Sequence, residues 1–286
     1  MITVTGATGQ LGRLVVTGLL DAGVAPADVT AVVRSADRAA DLAARGVTVR
    51  VADYDDRASL DTALAGTDRL LLVSGNEVGR RLPQHAAVID AAKAAGVALL
   101  VYTSVTRAAT SSLVLAPDHA GTEELIAASG VPAVVLRNNW YLENYDQQIA
   151  QAASTGTLLG SAAGGRTWPA SRADFADAAV AVLTAAEPVP GVVELGGDEP
   201  FTLADLAAEV GRQTGREVAH SDVSTEEHVQ VLVGVGLDAP TAAFVAALDA
   251  GTAAGELDGG GTGISALTGR ATTTLADHVQ RVLAQV

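Results

Sequence analysis

His119 and Glu123 stand four positions apart in the stretch Ala116-Pro-Asp-His-Ala-Gly-Thr-Glu-Glu-Leu125, so a helix there puts both on one face. Imidazole is the side chain best matched to proton transfer near neutral pH, and a carboxylate neighbour raises its pKa. The competing reading is a surface pair that stabilises a helix N-terminus. A second cluster follows in Arg137-Asn138-Asn139-Trp140-Tyr141-Leu-Glu143-Asn144-Tyr145. Aromatics are only 3% of the chain, yet Trp140, Tyr141 and Tyr145 fall within six positions. Flat rings with amides beside them suit a slot for a planar molecule, or plug a seam between packed layers. Trp168 in Arg166-Thr-Trp-Pro169 is a further candidate for the same wall.

A different kind of signal stands at residues 5 to 12, Thr-Gly6-Ala-Thr8-Gly9-Gln10-Leu11-Gly12. It follows an apolar strand-like run and opens a helical pattern with Leu11, Leu14, Val15, Leu19 and Leu20 on one face. Glycines there let the backbone turn tightly and approach a pyrophosphate, while free N–H groups and the helix dipole attract the anion. The alternative is a tight turn without a ligand.

The next strand ends at Arg34, about 20 residues past the motif, where a carboxylate would select NAD. A guanidinium suits a 2′-phosphate instead, so NADPH is the expected cofactor, with Arg38 as a possible second cation. Asp53 is positioned to accept from the adenine amine, with Tyr54 beside it, while Asp55 and Asp56 are expected to cap the next helix. Ser74 and Asn76, in the loop Ser74 to Arg81, and Thr103, after the fifth strand run, complete the candidates for cofactor or substrate contact.

The elements that must position these residues are readable from periodicity. Apolar runs near 2 to 5, 29 to 33, 47 to 51, 69 to 73, 98 to 103, 132 to 136 and 192 to 195 alternate with helical segments. Continuous apolarity marks strands buried on both faces, and such βα alternation gives an α/β fold, a Rossmann-type doubly wound parallel sheet. Gly23, Gly46, Gly96 and Gly130 sit where left-handed helix caps belong. From about 196 the pattern becomes helical, with N-terminal capping signals at Thr202 to Asp205, Ser224 to Glu227 and Thr274 to Asp277, and a glycine-rich loop at 251 to 263. The expected division is a nucleotide-binding domain of 1–137 and 172–195, and a smaller, mostly helical lobe of 138–171 and 196–286.

Composition narrows the chemistry. With 286 residues, 49% of them hydrophobic and 18% charged, the chain reads as globular, and no run approaches the roughly 18 apolar residues of a membrane span. The first residues lack the pattern of a signal peptide, so a cytoplasmic protein is expected. Zero cysteines exclude disulfides and thiolate chemistry, and the five histidines show no metal-ligand spacing. Neither a metal nor a flavin is expected. A net charge of −15 argues against nucleic acid as a partner. Lys93 is the sole lysine, and the residues four beyond Tyr54, Tyr102, Tyr141 and Tyr145 are Ala58, Thr106, Tyr145 and Ile149. The Tyr-x-x-x-Lys proton donor of ordinary short-chain reductases is therefore missing from the sequence.

Taken with the segments Ile2 to Gly12, Val32 to Asp56, Leu70 to Val97, Val101 to Ser104, Asp118 to Gly130, Leu136 to Tyr145 and Ser171 to Ala179, the chain resembles the NmrA-like atypical short-chain dehydrogenases, and within them the bacterial type 2 NAD(P)H:quinone oxidoreductases. The resemblance implies NADPH in the Gly6 to Gly12 loop, Arg34 on its 2′-phosphate, and a quinone or similar planar carbonyl compound reduced without a Tyr/Lys pair. It also implies pocket roles for His119, Asn138, Asn139 and Tyr141, with His119 a proton donor to the quinol oxygen oriented by Glu123. Ser74-Gly-Asn76 departs from the serine run usual in that group, and Asn139 stands where a glycine occurs. Two other readings are a tailoring enzyme in aromatic polyketide or quinone biosynthesis and a non-catalytic NAD(P) redox sensor. The protein is expected as a monomer or homodimer.

Overall fold

The computed structural model describes every residue except 78, 188 and 190. The order of elements is β1 (Ile2–Val4), α1 (Gln10–Asp21), β2 (Val29–Val33), α2 (Ala40–Ala44), β3 (Thr48–Val51), α3 (Arg57–Ala63), β4 (Arg69–Leu72), α4 (Arg81–Ala94), β5 (Leu99–Val105), α5 (Ala116–Ser129) and β6 (Ala133–Asn138). Then come α6 (Asp146–Thr155), β7 (Thr157–Gly160), α7 (Arg172–Thr184), β8 (Val192–Leu195), α8 (Leu203–Thr214), β9 (Ala219–Asp222), α9 (Thr225–Gly234), α10 (Ala239–Ala253), α11 (Gly263–Thr268) and α12 (Leu275–Leu283). Seven strands form one sheet in the order β3-β2-β1-β4-β5-β6-β8, with β3 through β6 paired in parallel. After β3 the chain crosses to the other side of β1, which puts a topological switch point between β1 and β4.

Two compact units make up the chain. Unit 1 comprises Met1–Ala109, Pro117–Asn138 and Arg172–Val193, and unit 2 comprises Thr110–Ala116, Asn139–Ser171 and Glu194–Val286. In unit 1 every residue of β2 is buried, as a strand with helices on both faces requires. One core layer collects Val32, Leu60, Leu70, Leu72, Ile89, Leu100, Tyr102 and Ile126. Each such side chain contributes roughly 1.5–3 kcal/mol on leaving water. Helix α1 buries Leu11, Val15, Val16 and Leu19, whereas Leu14, expected on the buried face, is turned outward. Gly18 lets α1 approach α7, since a Cβ there would lie 3.0 Å from Val180 Cγ2.

Unit 2 contains a feature the sequence reading lacked, a second sheet of two parallel strands, β7 and β9. The sequence of β9, Ala-His-Ser-Asp, has neither β-branched residues nor apolar alternation, so periodicity does not reveal it. Its core gathers Leu142, Tyr145, Ile149, Leu158, Phe201, Leu206, Val210 and Val279. The capping signals hold: Thr202 and Asp205 form a reciprocal box on α8, and Ser224 and Thr274 accept from the N–H groups of Glu227 and Asp277. Gly23, Gly46, Gly96 and Gly130 all take positive φ. The glycine-rich loop expected over 251 to 263 is only partly a loop. Gly251 lies inside α10, packed so closely that a Cβ would meet Leu113 Cδ2 at 2.6 Å, and Gly263 opens α11.

Candidate functional site

The turn after β1 is built around absent side chains. Gly6 has φ +59°, and its carbonyl accepts from Gly9 N–H at 2.8 Å. At Gly12 a Cβ would press into the Gly6 backbone, 2.9 Å from its carbonyl carbon and 3.1 Å from Ala7 Cα. Helix α1 begins directly after Gly9, which supplies no side-chain cap, and has no acidic residue in its first turn. Among the described residues no acceptor meets the N–H groups of Gln10, Leu11 and Gly12. That terminus offers donors and a positive dipole end to an anion, which fits the pyrophosphate of a dinucleotide. Thr8 is half-buried, Gln10 is exposed and Leu11 is packed in the core, so Leu11 offers its N–H rather than its side chain.

Below the turn, Thr5 joins β1 to β4: its hydroxyl donates to Leu71 O at 3.2 Å and accepts from Val73 N at 3.1 Å. The Tyr54 hydroxyl donates to Thr5 Oγ1 at 2.6 Å, and burial pushes its pKa up to about 12. Tyr54 is thus a protonated pillar under the turn. At the far end Arg34 is two-thirds exposed, with Glu77 Oε1 3.3 Å from its Nη1. The Arg38 side chain is exposed, and its carbonyl accepts from Arg13 Nη2 at 2.7 Å. Asp53 is exposed and accepts from Asp55 N–H at 3.0 Å. Asp56 caps α3 as expected, but Asp55 does not; it accepts from Arg80 Nη2 at 2.8 Å and Gln84 Nε2 at 3.2 Å. Long side chains from α4 and from the residue before it reach Asp55, partners that local spacing does not reveal.

Beyond β4 and β5 lies a buried polar network. Ser74 N–H donates to Thr103 Oγ1 at 2.9 Å. Gly75 donates its N–H to His85 Nε2 at 3.0 Å, and its carbonyl accepts from Arg81 Nε at 2.5 Å. His85 Nδ1 is 2.9 Å from Thr122 Oγ1. His119 Nδ1 is 2.9 Å from the Tyr102 hydroxyl. Asn76, by contrast, is exposed.

This arrangement corrects the reading of His119. Its ring partner is Tyr102, whereas Glu123 forms a bidentate pair with Arg137, at 2.6 and 3.0 Å, and accepts from Ser104 Oγ at 2.6 Å. The carboxylate is occupied by β5 and β6 and does not raise the histidine's pKa. Burial, aided by the Arg81 charge and then by His85, depresses it to about 3 instead. Burial raises the Tyr102 phenol to about 12. At neutral pH the pair is therefore an uncharged imidazole and an uncharged phenol. Arg81, His85 and Tyr102 are the functional candidates that the sequence reading missed. The available signal was a pair of i,i+4 spacings, Arg81 with His85 on α4 and Asp118 with Thr122 on α5, which pack polar residues against each other.

Asn138 ends β6, buried, with its carbonyl accepting from Thr106 N–H at 2.9 Å. Asn139 is buried in unit 2, where its Nδ2 donates to the carbonyls of Leu257 (3.1 Å) and Gly259 (2.8 Å) and its Oδ1 accepts from Trp140 N–H at 2.8 Å. Those bonds make Asn139 a brace for the 257–259 turn. Trp140 and Tyr141 are half-buried, and Tyr145 is a core residue with its ring centre 5.4 Å from that of Phe201. Trp168 donates to Asp258 Oδ1 at 2.9 Å, and a Cβ at Gly261 would meet its ring at 2.5 Å. Among the described residues no cluster of His, Asp and Glu could hold a metal ion, and no helix is long and apolar enough to cross a membrane.

A parallel sheet with its switch point beside an uncapped glycine turn defines a Rossmann-type protein. The chain belongs to the NmrA-like family, whose model matches residues 1–265. Quinone oxidoreductase 2 of Escherichia coli (strain K12) is 44% identical over 282 residues, covering 99% of this chain and 98% of its own. The crystal structure of the E. coli NADPH-dependent quinone oxidoreductase with NADPH matches with a TM-score of 0.96 over 99% of this chain and 100% of that one. The NADP(H) complex of Citrobacter sp. triphenylmethane reductase, 34% identical, matches with a TM-score of 0.94, covering 99% of this chain and all of that one.

Proposed function

We propose that this protein is an NADPH-dependent oxidoreductase that reduces quinones or similar planar carbonyl compounds. The observation that carries the reading is the uncapped glycine turn at the switch point, in a chain similar over its full length to an NADPH-dependent quinone oxidoreductase. The N–H groups of Gln10, Leu11 and Gly12 would hold the pyrophosphate, Arg34 the 2′-phosphate, and Asp53 the adenine amine. Ser74 and Thr103 would border the nicotinamide end. When bound, NADPH supplies hydride. An electron-poor quinone accepts it with little acid assistance, so binding and orientation carry most of the rate.

The protein's own proton chemistry is modest. A neutral His119 donates a hydrogen bond to an acceptor oxygen, which favours charge developing there, but it is too weakly basic to serve as a protonated acid at neutral pH. Trp140 and Tyr141 are the candidates for stacking on the flat acceptor.

Mixing the protein with NADPH and a series of small quinones should quench absorbance at the NADPH band; if no quinone, enone or aldehyde accelerates that loss, the reading fails. Run in parallel with NADH, the assay should prefer NADPH. Arg34→Ala should weaken NADPH by about tenfold or more and leave NADH nearly unchanged, the loss expected for one charge-assisted phosphate contact. An equal loss for both cofactors would take Arg34 off the 2′-phosphate. His119→Ala should lower kcat by no more than about tenfold, below the usual contribution of a full general acid. A far larger loss would make His119 an obligatory proton donor.

A further inference from the structure

Both backbone polar groups of Gly75, three residues past β4, are held by side chains. Its N–H donates to His85 Nε2 at 3.0 Å, and its carbonyl accepts from Arg81 Nε at 2.5 Å. An amide N–H only donates, so Nε2 must present a lone pair. The ring proton is then on Nδ1, directed at Thr122 Oγ1 2.9 Å away. Thr122 in turn gives its own proton to the Asp118 carbonyl one helical turn back, at 2.8 Å. The series Gly75 to His85 to Thr122 to Asp118 uses each donor once and admits a single tautomer. His85 and Thr122 are completely buried, so neither ring nor hydroxyl can exchange these partners for water.

We infer that His85 is a positioning residue: its neutral Nδ1–H tautomer fixes Gly75, and with it the edge formed by Ser74 and Gly75 against which the nicotinamide end of the cofactor rests. This rests on the functional reading above, because the edge matters only if a dinucleotide lies there. The groups around the ring are Arg81 on its own helix, whose Nη1 lies 3.8 Å from Asp118 Oδ2, Tyr54 with its ring centre 6.4 Å away, Tyr102 of β5 at 5.6 Å, and His119 and Thr122 of α5. A second proton on His85 would remove the acceptor for Gly75 and add a cation beside Arg81. Burial, with the Arg81 charge, depresses its pKa to about 4.

Two measurements on the full chain test this. Nitrogen-15 NMR of the ring at pH 7, which needs neither cofactor nor substrate, should show His85 protonated on Nδ1 and bare on Nε2; an Nε2–H tautomer or a charged ring overturns the inference. NADPH titration should give a dissociation constant about tenfold higher for His85→Asn, whose amide is too short to reach Gly75, and near-normal for His85→Gln, whose amide oxygen falls close to the position of Nε2. The two amides differ little in polarity, so restored binding in only the longer one separates positioning from general loss of packing. If wild type binds NADPH and both variants match it, the inference is wrong while the functional reading stands. If wild type binds no NADPH, both fall.

Discussion

Gly12→Val is expected to abolish NADPH binding and to destabilise the protein by at least about 2 kcal/mol. A side chain at this position meets backbone on every near side: the Gly6 carbonyl carbon at 2.9 Å and Ala7 Cα at 3.1 Å from the first added carbon. Backbone cannot swing aside as a side-chain terminus does. Relief requires α1 to move away from β1, which withdraws the N–H groups of Gln10, Leu11 and Gly12 from the proposed pyrophosphate position and opens the packing of Leu11 and Val15. Isothermal titration with NADPH and thermal unfolding check the two halves separately. Retained binding at wild-type affinity would mean that the turn is not where the pyrophosphate lies.

Acidification from pH 6.5 toward 4 should cost several kcal/mol of stability, a large part of what a typical domain possesses. His85 and His119 are buried neutral, with pKa values depressed to about 4 and about 3 from an unfolded value of 6.5. Between those limits the unfolded chain binds more protons than the folded one. Stability is therefore complete above pH 6.5 and declines as the pH falls toward the folded values, each group costing about 1.4 kcal/mol per unit in that window. Burial of His278 moves its pKa the same way, whereas burial raises that of Asp249 and partly offsets the trend. Urea unfolding at half-unit steps from pH 7.5 to 4.5 reads the slope directly. A flat profile would show that the two rings titrate as they do in water. Substituting both by glutamine should remove most of the slope.

Gly12 was identified from residues 5 to 12 alone, since a tight turn between strand and helix is a local requirement and only glycine meets it. Strand positions and the caps at Thr202, Ser224 and Thr274 were similarly local. The spacing also marks His119 but not its chemistry, because the i,i+4 relation to Glu123 does not say which side chains of β5 and β6 each of the two meets. Arg137 lies fourteen residues further on and takes the carboxylate; Tyr102 lies seventeen back and takes the ring. Asn139 illustrates the same limit, as its partners at 257 and 259 are 118 and 120 residues away.

What the sequence alone determined, then, was the sheet, the tight glycine turn after β1, the candidate cation at Arg34 and the lack of a Tyr-x-x-x-Lys pair, all of which depend on neighbours within a turn or a strand. Only the tertiary structure decided the protonation of His119 and His85, the brace at Asn139 and the clamp on Gly75. Those properties come from burial and from which distant groups share a hydrogen bond, and both are set when α4 and α5 pack against the sheet.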